Sequence, residues 1–316
     1  MHPLKKIITV VLLLAATTSF AQSEYKVVDD YVKSVGALDS MNMGTISSIV
    51  TKNFADNKYK ARAIFDWIAF NISFDAKASR NGDNTVNLSD DIIKSRKATS
   101  FGYAALFQDM CSAASIRCLT VDGYIKKSTD DINQKPDEFN HSWDVVQLGQ
   151  SSTEWFYVDP TWGSGYTDKT EKIFTKAFDG AYFFSDQATF NLQHFPNNMS
   201  WQLGPGSKNA KDFFSMPVVK NAAFDFGITG VTPATGNIKT KAGKPVAFNI
   251  NATTTSVISV VSLLIGDGKK RQSKQVDYSI SNGAINFNYK FEDEDSYPIT
   301  IVINGKEVLD YLVEVD

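Results

Sequence analysis

The chain has 316 residues, enough for two domains with sizeable cores. Hydrophobic residues make up 43% and charged residues 21%, ordinary proportions for a globular protein that exclude disorder as the starting expectation. The 35 acidic and 32 basic residues leave a net charge of −3 with no basic stripe, so nucleic acid is not an expected partner.

The first residues, "MHPLKKIITVVLLLAATTSFAQ", read as a secretory leader. Lys5 and Lys6 precede an apolar stretch too short to span a membrane, and Ser19-Phe20-Ala21 fits a small-x-small cleavage site. Residues 1–21 are therefore expected to be removed and the mature chain to be secreted or periplasmic, with no membrane span after cleavage. Two short segments, "YKVVDDYVKSV" and "MGTISSIVTKNF", read as helical or irregular. In "DNKYKARAIFDWIAFNISFD", Ala63, Ile64, Trp67, Ile68 and Ile72 recur at helical spacing, Asp56 can cap the helix start, and Trp67 reads as core. "KASRNGDNTVNLSDD" follows as a polar loop.

"SFGYAALFQDMCSAASI" predicts a helix with Tyr103, Leu106, Phe107, Met110 and Cys111 along one face. "RCLTVDGYIK" and "SWDVVQLG" predict strands joined by a charged loop. "EWFYVDPTWGSGY" predicts another strand, ended by Pro160. "FSDQATFNLQHFPNNMSWQL", irregular or helical, closes a first domain over residues 22–215. The stretch "SMPVVKNAAFDFGITG" reads as the junction. Residues 216–316 then alternate short apolar runs with Gly, Asn and Asp turns, including a hairpin signal at Asn304-Gly305-Lys306, and predict a β-sandwich. The two cysteines, Cys111 and Cys118, do not make a disulfide framework, and the sequence leaves their pairing open.

Three segments point to chemistry as a set: "TSFGYAALF", "HSWDVV" and "YVDPTWG". In chain order they offer a residue opening an apolar helix, a His opening a strand, and an Asp closing the next strand. This order resembles the transglutaminase-like superfamily, with its papain-like fold. That family places Cys at a helix start with Gly-Tyr-Ala just beyond it, His before x-Trp-Asn, and Asp in Asp-Pro-Thr-Trp. Here Gly102-Tyr103-Ala104, His141 with Trp143, and Asp159-Pro160-Thr161-Trp162 match, while Ser100 stands at the cysteine position and Asp144 at the Asn position. The flanking "ARAIFDWIAFNISFD" and "FFSDQATFNLQHFP" are similar to secreted bacterial members of the kyphoscoliosis-peptidase-like group, and the likeness runs from Asn57 to Leu203.

The resemblance implies an α+β papain-like transglutaminase core followed by an all-β, immunoglobulin-like sandwich. It also implies triad-equivalent positions Ser100, His141 and Asp159, a cleft with Tyr103, Trp143 and Trp162 among its binding residues, and no metal or cofactor. In the family a thiol at the positive end of a helix is held as thiolate against an imidazole that the Asp orients. A serine hydroxyl titrates far higher and needs His141 as a true general base. The expectation is a catalytically impaired homologue that keeps its cleft for a peptide, protein or cell-wall ligand. The alternatives are an acyl-transfer hydrolase using Ser100, His141 and Asp159, and an adhesive module acting through the sandwich. Cys111, about 16 Å along the same helix, is too far to substitute. His194 is not expected to be catalytic, because His141 already fills the family's His position.

Overall fold

The computed structural model describes residues 24–149, 151, 154–253, 257–268 and 271–316; the expected leader at residues 1–21 lies outside them. Two large cores organise the described residues.

The first is a helical layer against a four-stranded sheet. The helix Asn57–Asn71 starts where Asp56 accepts from Lys58 N at 2.8 Å, and its residues Ala61 to Ala69 are all buried. The helices Lys26–Val35 and Met43–Thr51 pack on it. The sheet runs in the order Trp155–Val158, His141–Gln147, Arg117–Ile125, His194–Pro196, antiparallel throughout. The helix Ser100–Ala113 lies on its two central strands. Its apolar side sinks Tyr103, Leu106, Phe107, Met110 and Cys111 into the core, as their spacing dictates.

The stretch expected as a polar loop is shorter than its composition suggests. Ala76–Arg80 forms a helical turn capped by Asp75, and Ser89–Ser95 forms a helix, leaving residues 81–88 between them. Short polar helices carry little apolar periodicity, so the pattern hid them.

The second core lies between two sheets. One has the order Ile228–Thr232, Pro245–Ala252, Ala284–Lys290, Tyr278–Ser281 and is antiparallel. The other has Asn237–Thr240, Lys306–Val315, Ser296–Ile303, Val261–Ile265, Gln272–Gln275, with its first pair parallel. Phe248, Ile250 and Ile285 from one sheet meet Leu263, Ile301 and Tyr311 from the other. Asn304 and Gly305 turn the last hairpin at φ 48° and 81°, the left-handed backbone that a two-residue hairpin requires.

The junction stretch is built into this second core. Val218–Val219 pairs with Lys306–Val315, and Ala223, Phe226 and Ile228 are buried. Contact between the two halves is direct: Thr189 Oγ1 donates to Ile228 O at 2.9 Å, and Tyr182 meets Phe224 edge-on at 5.2 Å. The result is a mixed α and β chain in which many antiparallel strands follow a helix-covered sheet. Among the described residues, no helix is long and apolar enough to cross a membrane.

Candidate functional site

Ser100 is the first residue of its helix. Thr99 precedes it in extended backbone and makes no side-chain cap, and the first intrahelical bond of the turn runs from Tyr103 N to Thr99 O. The N–H groups of Ser100, Phe101 and Gly102 have no hydrogen-bond partner among the described residues. Such donors at the positive end of a helix suit an anionic or carbonyl oxygen. Only Gly fits at 102: an added Cβ would lie 2.9 Å from Ala98 Cβ and 3.2 Å from Ile92 Cδ1.

His141 opens its strand and Asp159 immediately follows the next one, so the hairpin between them brings the pair together. His141 Nε2 lies 2.7 Å from Asp159 Oδ2, both side chains buried. Asp159 Oδ1 accepts from Thr161 N at 2.9 Å and Trp162 N at 3.0 Å, the tight turn made by Asp-Pro-Thr-Trp. Burial works to raise this carboxyl, but His141, then His194, hold it below the usual carboxylate range. An anionic Oδ2 requires the facing ring nitrogen to carry the proton. His141 Nδ1, without a partner among the described residues, is then its basic nitrogen.

Ser100, His141, Thr161 and Trp162 line one cleft of about 450 Å³. Val218, Val219 and Lys220 close part of its wall, so the second half of the chain helps to build it. Ser100 Oγ makes no hydrogen bond with any described residue, His141 included. Of the three aromatic residues expected in the cleft only Trp162 lines it, beside Phe74, Tyr166 and Phe174. Tyr103 and Trp143 are fully buried and do not line the cleft. Tyr103 donates to Ile72 O at 2.6 Å and accepts from Ser164, so it braces the helix from within. Trp143 stacks behind His141, ring centroids 6.3 Å apart.

Asp144, at the position where the resemblance expects Asn, is wholly buried. Burial, then neighbouring Cys118, pushes its carboxyl well up. Its Oδ1 accepts from Thr120 at 3.1 Å, while Oδ2 has no partner among the described residues. Cys111 and Cys118 are both free thiols and both buried.

His194, not expected to be catalytic, nevertheless reaches the site. It starts a short strand that pairs with the edge of Arg117–Ile125, and its Nε2 lies 3.1 Å from the same Asp159 Oδ2. Its strand is only three residues long, His194–Pro196, too short for apolar spacing to mark it. His141, Asp159 and His194 also form the one group of three metal-ligand side chains found among the described residues. Their facing atoms are already joined by direct hydrogen bonds, which makes the group a carboxylate held by two imidazoles.

This helix start, with its His–Asp hairpin on an antiparallel sheet, defines a transglutaminase-like core. Residues 45–160 match the model of the transglutaminase-like superfamily. Mouse kyphoscoliosis peptidase is 35% identical over 186 residues, covering 58% of this chain and 28% of that protein. The human protein of the same name is 32% identical over 222 residues, covering 70% and 33%. Hillarin of Drosophila melanogaster is 23% identical over 221 residues, covering 65% and 26%. The chain thus spans about a third of the length of these relatives, or less.

Proposed function

We propose that this chain is an exported, bacterial transglutaminase-like protein whose cleft binds a peptide-like or cell-wall ligand with little or no turnover. In this reading Ser100 occupies the position of the family's nucleophilic cysteine. The carrying observation is the state of Ser100: it opens its helix inside the cleft, yet its hydroxyl is not bonded to His141. No thiol replaces it, because Cys111 and Cys118 are buried in the core. A hydroxyl without a bonded base stays protonated and is a poor nucleophile. The ligand-holding parts remain: three unspent N–H donors, Trp162 and the charged rim around Lys127 and Lys220. Export rests on the leader-like residues 1–21.

The test is turnover of glutamine peptides, amine donors and generic peptides by the wild type, Ser100→Ala and Ser100→Cys. No turnover by wild type, with rapid alkylation of Ser100→Cys by iodoacetamide at neutral pH, supports the reading. Turnover abolished by Ser100→Ala ends it.

A second reading, hydrolysis by Ser100 with His141 as base, is favoured by the buried 2.7 Å His141–Asp159 bond. Substrate entry would then have to draw Ser100 Oγ onto His141 Nδ1. A serine-directed fluorophosphonate that labels Ser100, with the label lost in His141→Ala, would establish it.

A further inference from the structure

We propose that His194 is a positioning residue for this site, fixing through Asp159 the orientation of His141. The inference rests on the reading that Ser100, His141 and Asp159 form one ligand-contacting site.

A single oxygen, Asp159 Oδ2, serves two rings, at 2.7 Å from His141 and 3.1 Å from His194. With Thr161 N and Trp162 N on Oδ1, the carboxylate has four donors from three separate stretches of chain. Removal of His194 leaves Oδ2 with one donor, His141, and the shared hydrogen bond then tethers one side chain only.

His194 is held for this task. It is fully buried, its ring stacks on Phe190 at 3.9 Å with 6° between planes, and Trp162 and Trp143 close in at 4.7 and 5.2 Å. Its backbone is pinned by pairing with Ile125 and by the bond from its N–H to Phe190 O. Burial, working against Asp159, pushes its ring down to about 4, so at neutral pH it is uncharged. A neutral ring has one proton to give. Asp159 Oδ2 and Phe190 O both lack protons, and Phe190 O, 3.3 Å from Nδ1, already accepts from the backbone. The anionic oxygen is the stronger acceptor, which places the proton on Nε2.

Ring packing alone would explain a buried aromatic residue here, and two substitutions separate the explanations. His194→Phe keeps a stacked ring and loses the donor. His194→Gln loses the ring and keeps an N–H that can reach Oδ2. Each is made in the otherwise unchanged chain and in the Ser100→Cys chain, with folding checked by circular dichroism. In the unchanged chain, the hydrogen-bonded ring N–H of His141 is followed by NMR. It should survive in His194→Gln and broaden or move in His194→Phe. In the Ser100→Cys chain, alkylation by iodoacetamide should fall at least about tenfold in His194→Phe and stay within about threefold in His194→Gln.

The proposal is overturned if His194→Phe keeps both signals, or if the two variants lose them in step with their melting temperatures. It is also overturned if zinc added to the wild type binds stoichiometrically and only with His194 present, which would make the cluster a metal site. An unreactive Ser100→Cys parent would count against the functional reading, while the NMR comparison would still decide the role of His194.

Discussion

Gly123 faces His141 directly across the ladder of the two central strands, and the edge of Trp143 fills the space that a side chain at 123 would need. A Cβ there would lie 2.4 Å from Phe195 O and 2.5 Å from Trp143 Cη2. The indole lies in turn behind the His141 ring. The base of the site is therefore supported by a residue with no side chain.

Gly123→Ala is expected to destabilise the chain by about 2 kcal/mol or more, because neither the backbone carbonyl nor the enclosed indole can give way cheaply. Urea unfolding measures this. The same variant should also disturb the His141 ring resonances, which a destabilisation confined to remote parts of the sheet would leave in place.

Removal of the shared acceptor should be worse than removal of either donor. Asp159→Leu leaves two buried imidazoles and two backbone N–H groups without their partner, at a cost of about 3 kcal/mol or more. His141→Gln, which keeps a donor, should cost less. Chemical denaturation of the two variants side by side checks the order.

Acid should act through His194 in a defined window. Its ring titrates at about 4 when folded, against 6.5 for the free side chain, so between these values the unfolded chain binds the extra proton. Stability from this group is complete above pH 6.5 and is lost as pH falls towards about 4, by an amount on the order of 3 kcal/mol. Asp159, held low, loses its contribution only below the ordinary carboxylate value of 3.8. Asp66 and Asp144 are raised and slope the other way, so the wild type alone does not isolate the effect. The difference in unfolding free energy between wild type and His194→Gln, followed from pH 7 to pH 4.5, should shrink as pH falls.

A second pH effect lies away from the cleft. Arg62, buried, contacts Asp29 at 3.0 Å and Asp66 at 2.9 Å. Burial, eased by Arg62 but reinforced by Asp29, pushes the Asp66 carboxyl up to about 9. Folding therefore takes up a proton at Asp66 between pH 3.8 and about 9, and its contribution to stability declines as pH rises through that range. Asp66→Asn removes this dependence and should gain on the wild type as pH increases from 6 to 8.5. Thermal melts at the two pH values test it, and an unchanged difference would contradict it.

Local order was legible in the chain. The apolar spacing of the Asn57–Asn71 and Ser100–Ala113 helices, the Asp56 cap and the Asn304-Gly305 turn are contacts between near neighbours, and near neighbours are what periodicity records. His141 and Asp159 were also within reach, 18 residues apart on adjacent strands of one hairpin. What only the tertiary structure decided lies at longer range. Tyr103 and Trp143 have the aromatic character of a cleft wall, but helix packing and the sheet bury them entirely. The cleft's second wall comes from Val218 to Lys220, drawn in by pairing with the last strand of the chain. His194, 35 residues beyond Asp159, reaches it because its short strand joins the sheet edge beside Ile125. Lateral strand pairing is set by the fit of whole surfaces, and a run of three residues cannot encode it.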